Sequence, residues 1–263
     1  MGIRTENLAI GYKPGHSLAA SLNLELRDGQ VVSLIGGNGV GKSTLMRTLC
    51  GEQKPLEGEI LIQGQPLSGL SRRRRALLMA WVGTTEGMAG GLTVRQLVEL
   101  GRQPYTGLLG RLSGPDRELC RWAMEATGID YKADALLGTL SDGERQKAMI
   151  ARALAQDTPI ILLDEPLSFL DPTGRLEIMD MLCRITREKQ KAILLTCHDV
   201  ALSLRMASRL WLFNRKGQVL DMSPKEAVDS GAMDTLYDNP KVKFSPEIGD
   251  YVIMSNEEWV MRN

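Results

Sequence analysis

The octapeptide Gly36-Gly37-Asn38-Gly39-Val40-Gly41-Lys42-Ser43 has the residue types and spacing of a loop that cradles phosphate, G-x-x-x-x-G-K-[ST]. Its glycines let successive backbone N–H groups turn inward, and a helix opening directly after the loop adds positive potential from its N-terminus. Lys42 is then expected to reach the β- and γ-phosphates of a nucleotide and Ser43 to ligate Mg2+, with Thr44 beside them in the same first helical turn. The bare pattern arises by chance in glycine-rich chains. Here it stands between an apolar run, Val31-Val32-Ser33-Leu34-Ile35, and a helical pattern from Ser43 to Cys50. That is the context the chemistry requires.

A second group of residues suits the same reaction. Ile160-Ile161-Leu162-Leu163 is an apolar run ending in two adjacent acids, Asp164 and Glu165. Ligands of open parallel sheets bind outside the carboxyl ends of the strands, so Asp164 is expected to emerge beside the phosphate loop and hold Mg2+. Alternation along a strand would turn Glu165 the other way, where it could activate a water for in-line attack. Two solvated acids at a strand end would mean little by themselves. Beside a phosphate loop they form a metal ligand and a base.

These residues need a scaffold, and the chain supplies its signals. Short β-branched runs, Val31 to Ile35, Ile160 to Leu163 and Ala192 to Thr196, alternate with longer helical patterns, which predicts an α/β fold with a mainly parallel sheet buried on both faces. The first thirty residues differ. Leu8-Ala9-Ile10 and Leu22-Asn23-Leu24-Glu25-Leu26, broken by Pro14-Gly15 and Asp28-Gly29, read as antiparallel strands at one edge. Between about Ala89 and Leu140 the strand signal vanishes, and helical patterns at Thr93 to Leu100 and Asp116 to Thr127 predict a helical insert, in which Trp122 and Met124 belong to the core. Two short strands flank Lys216-Gly217, and a helix follows Ser223-Pro224. The chain is expected to be one domain over residues 1–263, with a C-terminal extension from about residue 232 that carries no clear periodicity.

Composition narrows the class. The 263 residues, 43% hydrophobic and 24% charged, exclude a disordered or collagen-like chain. Lys+Arg and Asp+Glu both total 32, so the excess of positive charge typical of a nucleic-acid binder is missing and no nucleic-acid partner is expected. The run Arg72-Arg73-Arg74-Arg75 therefore reads as a solvated helix face. Four scattered cysteines without CxxC spacing suit a reducing compartment, and Cys197 beside His198 reads as a packed strand residue. No apolar stretch approaches the roughly 20 residues of a spanning helix, and the start of the chain lacks the apolar core of a secretion signal. Glu6 stands where a myristoylation motif requires Ser or Thr.

Further segments carry a family resemblance. Leu140-Ser141-Asp142-Gly143-Glu144-Arg145-Gln146 resembles the LSGGQ signature of the ATP-binding cassette (ABC) family, at that family's usual distance before the Asp164-Glu165 strand. Ser168-Phe169-Leu170-Asp171 resembles its D-loop, His198 its switch histidine, and Tyr12 its adenine-stacking aromatic. The resemblance runs from about Leu8 to Met222. It implies a P-loop NTPase core with a mainly parallel central sheet, an N-terminal antiparallel β edge and a helical insert. It also implies a homodimer packed head to tail around two ATP with Mg2+. Each ATP would meet one subunit's Tyr12 and phosphate loop and the other's Ser141, Asp142, Gly143 and Glu144, with Asp171 nearby, Glu165 as base and His198 holding the attacking water. The signature residues would open a helix from Asp142 to Gln156 and present unpaired N–H groups to a γ-phosphate.

One position departs from the family. In Ala80-Trp81-Val82-Gly83-Thr84-Thr85-Glu86 the residue matching the family's Mg2+-contacting glutamine is Thr84, whose shorter hydroxyl is expected to keep a metal role. The stretch from Leu92 to Arg102 resembles importers of iron–siderophore, haem and cobalamin complexes. The expected setting is the cytoplasmic face of a bacterial inner membrane, held by integral-membrane permease subunits and served indirectly by a periplasmic substrate-binding protein. The competing readings are a soluble ABC ATPase acting on DNA, ribosomes or iron–sulfur assembly, an exporter subunit, and a degenerate regulatory cassette. The intact Lys42, Asp164, Glu165 and His198 argue against the last.

Overall fold

A computed structural model describes residues 2–13, 15–83, 91–107, 110–237, 239 and 241–254. Among these, six strands form the central sheet in the order β11 (Val219–Met222), β10 (Arg209–Phe213), β4 (Val31–Gly36), β9 (Ala192–Thr196), β8 (Ile160–Leu163) and β7 (Met79–Val82). All neighbours are parallel except β10 and β11, the hairpin expected around Lys216-Gly217. Alternation sorts the strand residues into two layers. Ile161, Leu163, Ile193 and Leu195 join one apolar cluster, whereas Ile160, Leu162 and Leu194 join the other. Both faces of the sheet are therefore buried, which explains why these strands read as unbroken apolar runs.

A second sheet, antiparallel, has the order β2 (His16–Leu22), β1 (Ile3–Lys13), β5 (Glu57–Ile62) and β6 (Gln65–Pro66), with β3 (Glu25–Leu26) also pairing β1. The sequence reads Leu22 to Leu26 as one strand. The structure breaks it at Asn23-Leu24, next to Ser21 at φ +55°, although Leu22, Leu24 and Leu26 all stay buried as their spacing demands. Helix α1 (Lys42–Leu49) lies between the two sheets, adding Leu45, Met46 and Leu49 to the cluster they share.

Helix α2 (Arg72–Leu78) leads into β7, with Arg72, Arg73 and Arg74 exposed and Arg75 turned to the Gly51 carbonyl. Helices α3 (Val94–Leu100), α4 (Gly114–Thr127) and α5 (Asp142–Ala155) pack on one another, and an isolated bridge between Thr93 and Leu136 is the one strand-like pairing described between residues 91 and 140. Thr93, Ser113 and Ser141 cap these helices, each closing a capping box with the side chain three residues on. Met124 is in the core, and Trp122 is partly buried with the Lys189 ammonium 3.8 Å from its ring centre.

Helix α6 (Pro172–Lys189) packs on the face of the central sheet away from α1, in the same core cluster as α3, α4 and α5, through Ile178, Met179 and Leu182. Helix α7 (Val200–Met206) follows β9, and α8 (Pro224–Asp229) follows Ser223. Beyond it come a short 3-10 turn at Ala232–Thr235 and a hairpin of β12 (Val242–Ser245) and β13 (Asp250–Ile253). Tyr251 meets Tyr237 and Phe244 edge to face, with ring centres at 4.7 and 5.6 Å. Phe244 and Tyr251 face each other across the hairpin and Tyr237 comes from the segment before it, so no sequence period announces this contact.

Candidate functional site

The phosphate loop starts where β4 ends. Gly39 and Gly41 have φ of +76° and +117°, a region costly for residues with a Cβ. At Gly41 a Cβ would also stand 3.2 Å from the Phe213 ring, so the loop can approach β10 only with glycine there. Asn38 and Gly39 are exposed, Val40 and Ser43 partly so, and Gly36 and Gly37 buried. Lys42 is 7% exposed and reaches back across the loop, its Nζ donating to the carbonyls of Gly36 at 2.8 Å and Gly37 at 3.0 Å. Burial pushes the Lys42 pKa down, opposed by the charges of Glu165 and Asp164, so the loop and the acidic pair share one field.

Asp164 follows β8 and is 3% exposed. Its N–H donates to the Val82 carbonyl at 2.8 Å, and its Oδ1 accepts from the Thr196 hydroxyl at 2.8 Å. Oδ2 is buried without a hydrogen-bond partner. A buried carboxylate with one oxygen fixed and the other free fits a hard cation, and the phosphate-loop motif offers the partly exposed Ser43 hydroxyl as a second oxygen donor. Thr84, the third expected metal contact, lies outside the described residues.

Glu165 does not take its direction from strand alternation. The strand has ended, and Glu165 lies in the left-handed region at φ +52°. Its N–H donates to the Thr196 hydroxyl at 2.6 Å, and its carbonyl accepts from the Ser168 hydroxyl at 2.7 Å. This turn brings Glu165 Oε1 to 3.0 Å from Nε2 of His198, which lies two residues past the end of β9. Both side chains stay partly open to solvent, beside a cavity of about 210 Å³ lined also by Ser168, Arg175 and Asp199. A carboxylate hydrogen-bonded to an imidazole at an open mouth can accept a proton from water and hold that water in line.

Thr196 is the functional residue the sequence reading missed. Its hydroxyl is wholly buried, donating to Asp164 and accepting from Glu165. The available signal was a polar residue closing an otherwise apolar strand, two positions before His198.

The remaining predicted residues fall into two places. Tyr12, 71% exposed, shares a 3.0 Å hydrogen bond with the Thr44 hydroxyl and so stands beside the phosphate loop. Ser141, Asp142, Gly143 and Glu144 open α5, and among the described residues they share no hydrogen bond with that loop. Glu144 closes the capping box with Ser141 and accepts from the Tyr131 hydroxyl at 2.9 Å; the Ser141 bonds, then Tyr131, hold its pKa down. Asp142 pairs with Arg145 at 3.1 Å. A Cβ on Gly143 would stand 3.1 Å from the Phe169 carbonyl, so the signature packs closely on the Ser168–Asp171 loop. Asp171 caps α6, accepting from the Gly174 N–H at 2.8 Å.

The family model described as ABC transporter matches residues 19–168, more than half of the chain. The chain belongs to the ABC transporter family. The petrobactin import ATP-binding protein FpuD of Bacillus anthracis is 38% identical over 228 residues, covering 86% of this chain and 83% of its own. The ferric enterobactin transport ATP-binding protein FepC of Escherichia coli is 37% identical over 238 residues, covering 89% and 86%. Among solved structures, a dimeric bacterial ABC transporter cassette superposes with a TM-score of 0.74 at 28% identity, covering 84% of this chain and 98% of that one. This ABC protein is an ATP-binding subunit whose ATPase activity is coupled to transport, and the importer ATPases are its relatives. Its fold is that of the P-loop cassette. Among the described residues no helix is long and apolar enough to cross a membrane.

Proposed function

We propose that this ABC ATPase works as a homodimer of head-to-tail subunits that closes around two ATP molecules and drives uptake of an iron complex, siderophore or haem, or of cobalamin, through a separate permease. The observation that carries the catalytic part is the buried Thr196 hydroxyl, which joins Asp164 to Glu165 beyond the carboxyl ends of β8 and β9 and so sets Glu165 against His198. Lys42 and the N–H groups of residues 36–44 hold the phosphates. Ser43, the free oxygen of Asp164 and Thr84 would hold Mg2+, which would neutralise phosphate charge. Glu165 takes a proton from the attacking water, and His198 keeps that water and the γ-phosphate in line. Tyr12 stacks on adenine. Ser141, Asp142, Gly143 and Glu144, which among the described residues share no hydrogen bond with their own phosphate loop, meet ATP held by the partner subunit from the start of α5, with Asp171 at the same interface.

The importer assignment draws support from the transport systems for which the relatives are named. In this reading the subunit sits at the cytoplasmic face of the inner membrane, held by the permease, with a periplasmic binding protein delivering cargo. Affinity purification of the tagged chain from native membranes in mild detergent tests it. A polytopic permease, with a solute-binding protein encoded beside it, is the expected companion. Ribosomal, DNA-repair or iron–sulfur partners would overturn the transport reading and leave the ATPase chemistry intact.

A further inference from the structure

Strand β1 runs past the end of its neighbour. Its last pair with β5 joins Ala9 to Glu57, and the Leu56 N–H donates to the Ala9 carbonyl at 2.8 Å. In an extended strand the carbonyl two residues on points the same way, so Gly11 offers its oxygen on a side where no strand remains. The side-chain amide of Gln53 fills that place, Nε2 donating to the Gly11 carbonyl. Gln53 comes from the turn after α1, and its own N–H donates to the Arg47 carbonyl at 3.1 Å, in the last turn of that helix.

The residue after Gly11 is Tyr12, whose hydroxyl bonds Thr44 near the start of the same helix. Tyr12 is thus tied to α1 twice, through its hydroxyl at one end of the helix and through Gly11 and Gln53 at the other, while most of its ring stays exposed. A Cβ on Gly11 would stand 2.6 Å from the His16 carbonyl and 2.9 Å from a Leu56 methyl, so the strand has little room to shift. We propose that Gln53 is a positioning residue for the base of the nucleotide: it extends the β1 ladder by one side-chain bond and so holds the Tyr12 ring at a set height over the phosphate loop. It touches neither phosphate nor base. This rests on Tyr12 carrying the adenine.

The test measures binding to the full chain by calorimetry with two probes, ATP and inorganic tripolyphosphate, each with Mg2+. Gln53→Leu removes the donor at similar volume, and Gln53→Glu sets a carboxylate against the carbonyl. Both are expected to weaken ATP about three- to tenfold, the range of one neutral hydrogen bond, and to leave tripolyphosphate binding unchanged. Tyr12→Ala is the reference and should show the same selectivity more strongly. Equal weakening of both probes in the Gln53 variants would reduce Gln53 to a general structural role and overturn the proposal. So would wild-type ATP affinity in both Gln53 variants while Tyr12→Ala binds ATP weakly. Wild-type ATP affinity in Tyr12→Ala would instead remove the adenine platform, and the proposal with it.

Discussion

Thr196→Val replaces a buried hydroxyl by a methyl of nearly the same shape, and the structure states what is lost. One bond is made to the Asp164 carboxylate, at 2.8 Å, and one is received from the Glu165 N–H, at 2.6 Å. A bond to a charged group contributes about 2 kcal/mol and a neutral one about 1 kcal/mol, and the first loss leaves both Asp164 oxygens without a protein donor. The sum, about 3 kcal/mol, corresponds to a fall in Tm of roughly 6–12 °C for a chain of this size. The catalytic effect has a separate origin. Glu165 is held in a left-handed conformation that costs about 1–3 kcal/mol, and Thr196 and Ser168 are the groups that hold it. Released, Glu165 leaves His198, and a displacement of about 1 Å at a catalytic base costs on the order of 100-fold in rate. Thermal unfolding and steady-state phosphate release therefore give paired readouts: a lower Tm and a kcat reduced about 10- to 100-fold. Thr196→Ser, which keeps the hydroxyl, should recover most of both. A Thr196→Val protein with wild-type Tm and kcat would refute the reasoning.

The other predictions concern charge and thiols. Asp116, hydrogen-bonded by Ser113 and paired with Arg102 at 2.8 Å, has its pKa held down at about 2. A carboxylate depressed in the fold contributes stability above its unfolded pKa of about 4 and loses it as the pH falls toward 2, so Asp116→Asn should cost about 2 kcal/mol at pH 7 and shrink the wild-type loss of stability between about pH 4 and pH 2 in acid unfolding curves. Burial pushes the thiols of Cys50 and Cys120 up to about 12 and about 11 and raises those of Cys183 and Cys197. A disulfide exchange reagent at pH 8 should therefore react slowly with the native protein and rapidly with all four thiols after unfolding, whereas fast native labelling of Cys50 or Cys197 would contradict their packing.

Much of this site was legible before any coordinates. The phosphate loop, the apolar strand ahead of Asp164 and the helices opening after Pro115, at Asp142 and after Ser223-Pro224 are local features, set by residues within a few positions of one another. Thr196 was not legible as a functional residue because its partners, Asp164 and Glu165, lie more than thirty residues away in sequence and meet it only when β8 and β9 pair. The direction of Glu165 has a cause that strand alternation does not describe. Alternation governs a strand, and β8 stops at Leu163, after which a left-handed turn decides where the carboxylate points. The segment from Ala232 to Ile253 was unreadable because it closes through Tyr237, Phe244 and Tyr251 rather than through a period. Gln53 belongs with Thr196: nothing local distinguishes a glutamine that extends a strand forty-two residues upstream.

The proposed hydrolysis depends on Glu165 as the base that activates water. Glu165→Gln keeps the size of the side chain and its place beside His198 but removes the capacity to accept a proton. In a single-turnover experiment with Mg2+ and radiolabelled ATP, the variant is expected to bind ATP with wild-type affinity and to sediment as a nucleotide-bound dimer. Phosphate release should be slowed at least about 100-fold. Phosphate release at the wild-type rate, with ATP bound normally, would contradict that role and assign the proton to another group.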